Sequence, residues 1–90
     1  MGNGQNRVVA GDYRGAEVIW NGADLLISGL MFTACKLNKV TVAHHAVMGE
    51  TRGLFGRSVG FDVSVEFTDG KKSMLSLDRH HYDLLMRILF

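Results

Sequence analysis

Two arginines within a glycine-rich segment are the side chains best suited to hold a ligand. Residues 49–60 contain four glycines, which leave backbone N–H groups accessible, together with Arg52 and Arg57. An arginine guanidinium offers a fork of N–H donors that matches the oxygens of a phosphate or a carboxylate. We therefore identify the following candidate contacts for an anionic small molecule or a nucleotide: Arg52, Gly53, Phe55, Gly56 and Arg57.

The same segment has two alternative interpretations. It lacks the Gly-Lys-Ser or Gly-Lys-Thr sequence of a phosphate-binding loop, and glycine-rich stretches between strands are commonly solvated hairpin tips. Leu54 and Phe55 lie between the two arginines, and an apolar centre with basic flanks also suits a tip that docks on a protein. The sequence leaves all three interpretations of residues 49–60 open.

Two pairs of adjacent histidines, His44-His45 and His80-His81, raise the question of a metal site. Adjacent side chains point to opposite faces of a strand, and on a helix they diverge by about 100°, so neither pair can chelate one ion alone. Nothing in the spacing requires one histidine from each pair to converge. We therefore expect no metal ion.

No set of side chains for catalysis can be assembled from the sequence. Cys35 would need a base and an electropositive setting to act as a nucleophile, and its neighbour Lys36 points to the other face of a strand. A buried structural thiol is therefore expected. Asp69 and Asp78 are explained by a turn and a helix cap, and the other carboxylates show no paired arrangement for acid–base work. We expect neither enzymatic activity nor a cofactor.

The length and the net charge of the chain limit the class of protein and the partners further. Ninety residues make one domain with a small core. The net charge of +1 argues against DNA as a partner, although Tyr13 and Trp20 could stack on bases.

Cys35 is the only cysteine, which favours a reducing, cytoplasmic compartment. The apolar run over residues 25–35 is too short to span a bilayer, and residues 1–10 have the composition of a disordered or tag-like tail.

The element that organises the rest of the chain is a predicted hairpin over residues 58–78. Large apolar residues alternate with polar ones from position 61 to 67, which is typical of a half-buried strand. A three-residue loop over 68–70, with its glycine at positive φ in a bulge, pairs Phe61 with Leu77. Val63 then faces Leu75, so the apolar faces of the two strands agree.

An earlier hairpin is predicted at Asn21-Gly22, the strongest two-residue turn signal in the chain. A loop of these two residues pairs Val18 with Leu25. Gly29 marks a bulge or a bend where the sheet begins to coil. Further strands are expected over residues 23–32, 33–37 and 40–48.

Residues 79–90 are predicted to form a C-terminal helix with Asp78 as its N-cap. Four apolar side chains repeat at helical spacing and can lie on the sheet: Tyr82, Leu85, Met86 and Leu89. Leu84, Ile88 and Phe90 widen the apolar face beyond what one sheet covers, so these three are candidates for a contact between subunits. The predicted fold is a β-rich α+β domain over residues 11–90, a curved antiparallel sheet or partial barrel of five to seven strands with one helix.

The order of these pieces resembles a known group of proteins. The motifs are Gly-Asp-Tyr-x-Gly at 11–15, Asn-Gly at 21–22, Phe-x-Asp-Gly-Lys-Lys-Ser at 67–73, and Leu-Asp at 77–78 followed by Tyr82. They resemble small uncharacterised bacterial and phage proteins with pleckstrin-homology-like or GRAM-like β domains. The resemblance implies a curved antiparallel sheet capped by a helix and carries no catalytic residue across. Many such proteins have a longer glycine-rich insertion between the fourth and fifth strands, which is reduced here to residues 49–60.

The function expected from the sequence is that of a non-enzymatic intracellular binding or interaction module that forms homo-oligomers. The alternative is a phage-encoded inhibitor of bacterial immunity. Such an inhibitor would sequester a cyclic or ADP-ribose-type nucleotide signal, or block a defence enzyme. Arg52 and Arg57 are the only sequence feature that distinguishes the two hypotheses.

Overall fold

The computed structural model describes residues 5–29, 32–52 and 58–90. They form seven strands and one helix: β1 (Arg7–Gly11), β2 (Glu17–Trp20), β3 (Leu25–Gly29), β4 (Phe32–Lys36), β5 (Val42–Arg52), β6 (Ser58–Phe67), β7 (Lys72–Leu77) and α1 (Arg79–Leu89). All strand pairs are antiparallel, in the order β4-β3-β2-β1-β7-β6-β5, and the sheet curls into a half-barrel. The prediction of a curved antiparallel sheet with a single C-terminal helix is confirmed.

Tyr13, in the turn after β1, shows how far the sheet curls. Its ring meets Phe67 of β6 edge-on, with the ring centroids 5.3 Å apart. Its hydroxyl also interacts with the side chain of Cys35 in β4, although four strands separate β4 from β6 in the sheet. The concave face therefore encloses one core, whose buried members come from β1, β2, β3, β5, β6, β7 and α1 and from the turns between strands.

The hairpin of β6 and β7 has the register that the apolar pattern predicts. Phe61 pairs with Leu77, and Val63 pairs with Leu75. Gly70 has φ of +90°, and the N–H of Phe67 donates to the carbonyl of Lys71 at 2.8 Å, which closes a three-residue loop over 68–70. The prediction is confirmed, and this register puts the apolar faces of both strands on the concave side.

The hairpin at Asn21 has a longer loop than predicted. Val18 pairs with Ile27, and not with Leu25. The Asn21 side-chain oxygen accepts hydrogen bonds from two backbone N–H groups of the loop, at 2.9 and 2.8 Å, so residues 21–24 form a four-residue connection. A change of register by two residues keeps the same side chains on the concave face, which is why the apolar pattern does not distinguish the two loops.

The expectation of a tail over residues 1–10 is wrong for the part that forms β1. Arg7–Gly11 lies between β2 and β7 near the middle of the sheet, and Val8 is buried. Gly11 has φ of +97°, and a Cβ atom built on it would lie 2.2 Å from the carbonyl oxygen of Lys72. This strand is short and weakly alternating, and its stability comes from pairing on both sides, a tertiary effect that local sequence does not reveal.

The predicted loop over residues 49–60 is largely strand. β5 continues to Arg52, β6 begins at Ser58, and these two residues pair. β7 ends at Leu77 opposite Phe61, so the hairpin of β5 and β6 extends beyond the three-stranded part of the sheet. The glycine content of this segment does not mark a loop, because β5 and β6 accommodate their glycines at shifts of register. Glycine is commonly found at such irregularities in strands.

The remaining strands agree with expectation in number and differ at their ends. The predicted strand over 23–32 is β3, which ends at Gly29, with an irregular register between Ile27 and Gly29 as expected. The predicted strand over 33–37 is β4. The predicted strand over 40–48 is β5, which begins only at Val42 because residues 38–41 form a turn held by the Asn38 side chain.

The helix seals the concave face. Asp78 is its N-cap, as predicted, and accepts a hydrogen bond from the backbone N–H of His81 at 2.8 Å. Tyr82 stacks on Phe61 with the ring centroids 4.0 Å apart, and Leu85 is completely buried. Because α1 packs against β6 and β7, β5 lies at the margin of the covered area.

Candidate interaction surface

A group of exposed apolar side chains lies where the end of α1 meets β5. Phe90, the C-cap of the helix, is 78% exposed, and its ring meets His45 of β5 edge-on with the ring centroids 5.3 Å apart. Val47 is on the same face two residues along the strand and is 44% exposed. Met48 comes next in the strand, where the pairing of β5 with β6 shifts register, and is 61% exposed. We call His45, Val47, Met48 and Phe90 the edge patch.

The edge patch forms because the cover over β5 is incomplete. Val42, at the start of the strand and opposite Phe67, is buried. Further along the same face, His45 is half-buried and Val47 is exposed, although their partners on β6 are fully buried. Because α1 packs against β6 and β7, side chains of β5 that alternate correctly for a core remain in contact with water.

β5 is also an edge of the sheet. It is the longest strand of the described chain, with 11 residues, and it pairs with β6 on one side only. Its outer row of backbone N–H and C=O groups has no strand beside it within residues 5–29, 32–52 and 58–90. An open edge is a surface on which another strand can pair.

The arginine loop predicted from the sequence is placed only in part. The backbone of Arg52 ends β5, and Gly53, Phe55, Gly56 and Arg57 lie outside the described residues. The two ends of the loop are held together by the pairing of Arg52 with Ser58. The candidate contacts of this loop with an anion or nucleotide therefore stay a prediction.

The three residues predicted for a subunit contact have different environments. Phe90 is exposed and belongs to the edge patch. Ile88 packs against the core within the chain, and Leu84 is half-buried. The apolar face of the helix is therefore covered mostly by packing within the subunit. Of the three residues, Phe90 is the most available to a partner.

A polar cluster of Asn6, Asp78 and His81 joins the first strand to the helix. The Asn6 side chain donates from Nδ2 to Oδ2 of Asp78 at 2.9 Å and accepts at Oδ1 from the Asp78 N–H at 3.0 Å. Nδ1 of His81 lies 2.9 Å from Oδ1 of Asp78. The backbone carbonyl of Asn6 accepts from the N–H of Val18 at 2.8 Å. Asn6 therefore links β2 to the start of α1.

The carboxyl of Asp78 is stabilised in its charged form by this cluster. Partial burial acts to raise its pKa, but the hydrogen bonds from Asn6 and from the backbone and ring of His81 outweigh that effect, and the pKa is lowered. A His–Asp pair can also serve acid–base catalysis, yet here the carboxylate is engaged in capping the helix. Sequence reasoning missed Asn6 because a lone asparagine before a strand gives no signal, and only its φ of +60° marks it as special.

The histidines are dispersed. His44 is exposed on the convex face opposite Glu66, and His45 contacts Phe90 on the concave face. His80 and His81 lie in the first turn of α1, at the other end of the helix from Phe90. Within the described part of the chain, no group of three or more His, Cys, Asp or Glu side chains is placed to hold a metal ion.

Cys35 is half-buried, and its thiol donates to the carbonyl of Lys36 at 3.6 Å. Its side chain also interacts with the Tyr13 hydroxyl. The pKa of Tyr13 is raised, first by burial and then by its interactions with Cys35 and by the negative charges of Asp69 and Asp12. The contact connects the turn after β1 to β4, which is a structural role for both side chains.

An open cleft of about 390 Å³ lies beside β1, β2 and β3. The described residues that line it are Arg7, Gly15, Glu17, Ser28 and Gly29. Arg7 and Glu17 are paired neighbours on adjacent strands and have side chains of opposite charge. The described wall therefore has no excess charge that would select an ion of one sign.

Comparison of the chain with protein-family models, with curated proteins and with solved structures gave no match. Among the described residues, no helix combines the length and the apolar character that crossing a bilayer requires, and α1 has 11 residues. The function has to be argued from the surface of the protein itself.

Proposed function

We propose that the protein is a non-enzymatic interaction module that self-associates through the edge patch. The observation that carries this proposal is the exposure of Phe90 against β5: a phenylalanine side chain with 78% of its surface in water contacts His45 of β5, the strand that also carries exposed Val47 and Met48. Burying one such aromatic side chain contributes about 1.5–3 kcal/mol. Because a two-fold contact uses the same patch twice, the gain is doubled in a dimer.

A chain of 90 residues favours this use of apolar surface. Small domains bury a smaller fraction of their surface than large ones, and contiguous exposed apolar residues commonly mark a protein contact. A cytoplasmic location belongs to the same proposal and is supported by Cys35, the only cysteine and a free thiol.

Sedimentation velocity between about 5 and 100 µM tests the proposal. We expect the wild type to sediment as an oligomer at the upper concentrations and Phe90→Ser to associate at least about tenfold more weakly, because it removes the most exposed apolar side chain of the patch. Val40→Ser is the matched control, since Val40 is 80% exposed in the turn before β5 and outside the edge patch. A wild type that is monomeric at every concentration, or an unchanged Phe90→Ser, contradicts the proposal.

Nucleotide sequestration remains the alternative hypothesis. It depends on Arg52 and Arg57, and residues 53–57 lie outside the described residues. Calorimetry with cyclic and ADP-ribose-type nucleotides tests it, with the double substitution of both arginines by alanine as the control. Heat of binding that disappears in this variant would favour the alternative.

A further inference from the structure

The first eight residues of β5 have a composition that suits contact with an identical strand. Between Val42 and Gly49 there is no Lys, Arg, Asp or Glu. In a two-fold symmetric contact, residues near the axis face the same residues of the second copy, so every charged side chain there meets a like charge. A strand without such side chains avoids this repulsion.

The strand at the other edge of the sheet, β4, is shorter than β5 and carries a charged residue. β4 has five residues and ends with Lys36, and a short edge strand with a lysine is a common device against pairing with another chain. On β5, register shifts lie between Val42 and His44 and between Val47 and Gly49. The stretch between them, residues 44–47, pairs regularly with β6, so its outer backbone groups are spaced as a partner strand requires.

We propose that a second copy of this chain adds to the β5 edge, β5 against β5 in antiparallel orientation, so that the sheet continues across a two-fold axis. This inference rests on the proposed self-association and names the element that mediates it. An axis perpendicular to the sheet keeps both concave faces on the same side. The Phe90 rings of the two copies then lie on one side of the joint sheet, where the two edge patches pack against each other.

Ala46 provides a test that is independent of the apolar patch. It is exposed and pairs with Ser64, whose side chain lies on the convex face, opposite to Phe90. Ala46→Lys places a charge of each copy near the proposed axis, and we expect the dimer to weaken at least about tenfold. Ala10→Lys is the matched control, because Ala10 is also exposed on the convex face, in β1, away from both edges.

Hydrogen exchange of the wild type gives a second readout that needs no variant. Amides of residues 44–47 that point away from β6 are expected to become more slowly exchanging as the protein concentration rises, whereas amides of β4 are expected to stay unchanged. Circular dichroism checks that both lysine variants are folded.

The outcomes separate this inference from the proposed function. Weakening by Ala46→Lys but not by Ala10→Lys, with concentration-dependent protection in β5, supports the strand pairing. An oligomer that Phe90→Ser breaks but Ala46→Lys leaves intact, or equal effects of the Ala46 and Ala10 variants, overturns the strand pairing and leaves self-association standing. A monomeric wild type overturns the proposed function itself.

Discussion

Replacing Asn6 with glycine removes the polar link between the first strand and the helix. Asn6 has φ of +60°, a conformation that glycine adopts without strain, so Asn6→Gly removes the side-chain hydrogen bonds and leaves the backbone conformation allowed. The two lost bonds to Asp78 have lengths of 2.9 and 3.0 Å, and one of them ends on a carboxylate.

The expected loss can be worked out from these two contacts. A neutral hydrogen bond contributes about 0.5–1.5 kcal/mol and one to a charged group about 1.5–3 kcal/mol. The Asp78 side chain is about one-third exposed, so water replaces part of what is lost, and we expect a decrease of about 2 kcal/mol in the free energy of unfolding. For a domain of this size the midpoint of thermal unfolding then falls by roughly 8–16 °C.

The loss depends on pH in a defined direction. The folded-state pKa of Asp78 lies below its ordinary value of 3.8, so the stability that its charged form contributes is present above about pH 4 and is lost as the pH falls through the folded-state pKa. Asn6 donates one of the hydrogen bonds that lower this pKa. The difference between wild type and Asn6→Gly is therefore largest at neutral pH and becomes smaller as the pH falls through the folded-state pKa of Asp78.

Urea unfolding monitored by circular dichroism at pH 7 and pH 3 measures both effects. Asn6→Ala is the companion variant, because it loses the same bonds and adds about 1–2 kcal/mol of strain at positive φ. A loss below about 0.5 kcal/mol at pH 7, or the same loss at both pH values, would refute the reasoning.

Three further predictions concern the core and the turns. Gly11→Ala is expected to lower the free energy of unfolding by about 2 kcal/mol or more in urea titrations, because its Cβ meets the β7 backbone; Gly15→Ala has similar φ but open space around it and should lose about 1 kcal/mol less. Leu85→Ala empties a fully buried position and should cost about 2–5 kcal/mol in the same assay; a loss under 1 kcal/mol would contradict the packing of α1. Cys35→Ala should lower the pKa of Tyr13 in a spectrophotometric titration. Because the pKa of Tyr13 is raised above 10 in the folded protein, stability is lost as the pH rises through the folded-state value. Cys35→Ala should therefore lose less free energy of unfolding than the wild type over this alkaline range.

The parts of the fold that were predicted correctly depend on residues close together in the chain. The alternation from Phe61 to Phe67, the glycine at position 70 and the cap at Asp78 each act over a few residues, and the structure contains all three as expected. The errors occur where local patterns are degenerate. A four-residue loop at Asn21 and a two-residue loop present the same apolar face, so the sequence could not choose between them.

The candidate site was less predictable than the fold. The sequence predicts Phe90 as a contact residue, but it gives Val47 and Met48 only as part of an ordinary strand. Their exposure depends on how far α1 reaches across the sheet, which is a property of packing. Asn6 was missed altogether, because its partner Asp78 is 72 residues away in the chain.

The sequence by itself determined that the chain forms an antiparallel sheet with a helix at its end, because side-chain periodicity and turn residues act locally. Only the tertiary structure decided that Arg7–Gly11 lies inside the sheet, that β5 is its open edge and that Phe90 stands in water beside it. Strand order and exposure arise from contacts between residues far apart in the chain, such as the hydrogen bond from the Tyr13 N–H to the Ser73 side chain across 60 positions. Such contacts are selected by the free energy of the whole packed domain, and no short stretch of sequence contains that information.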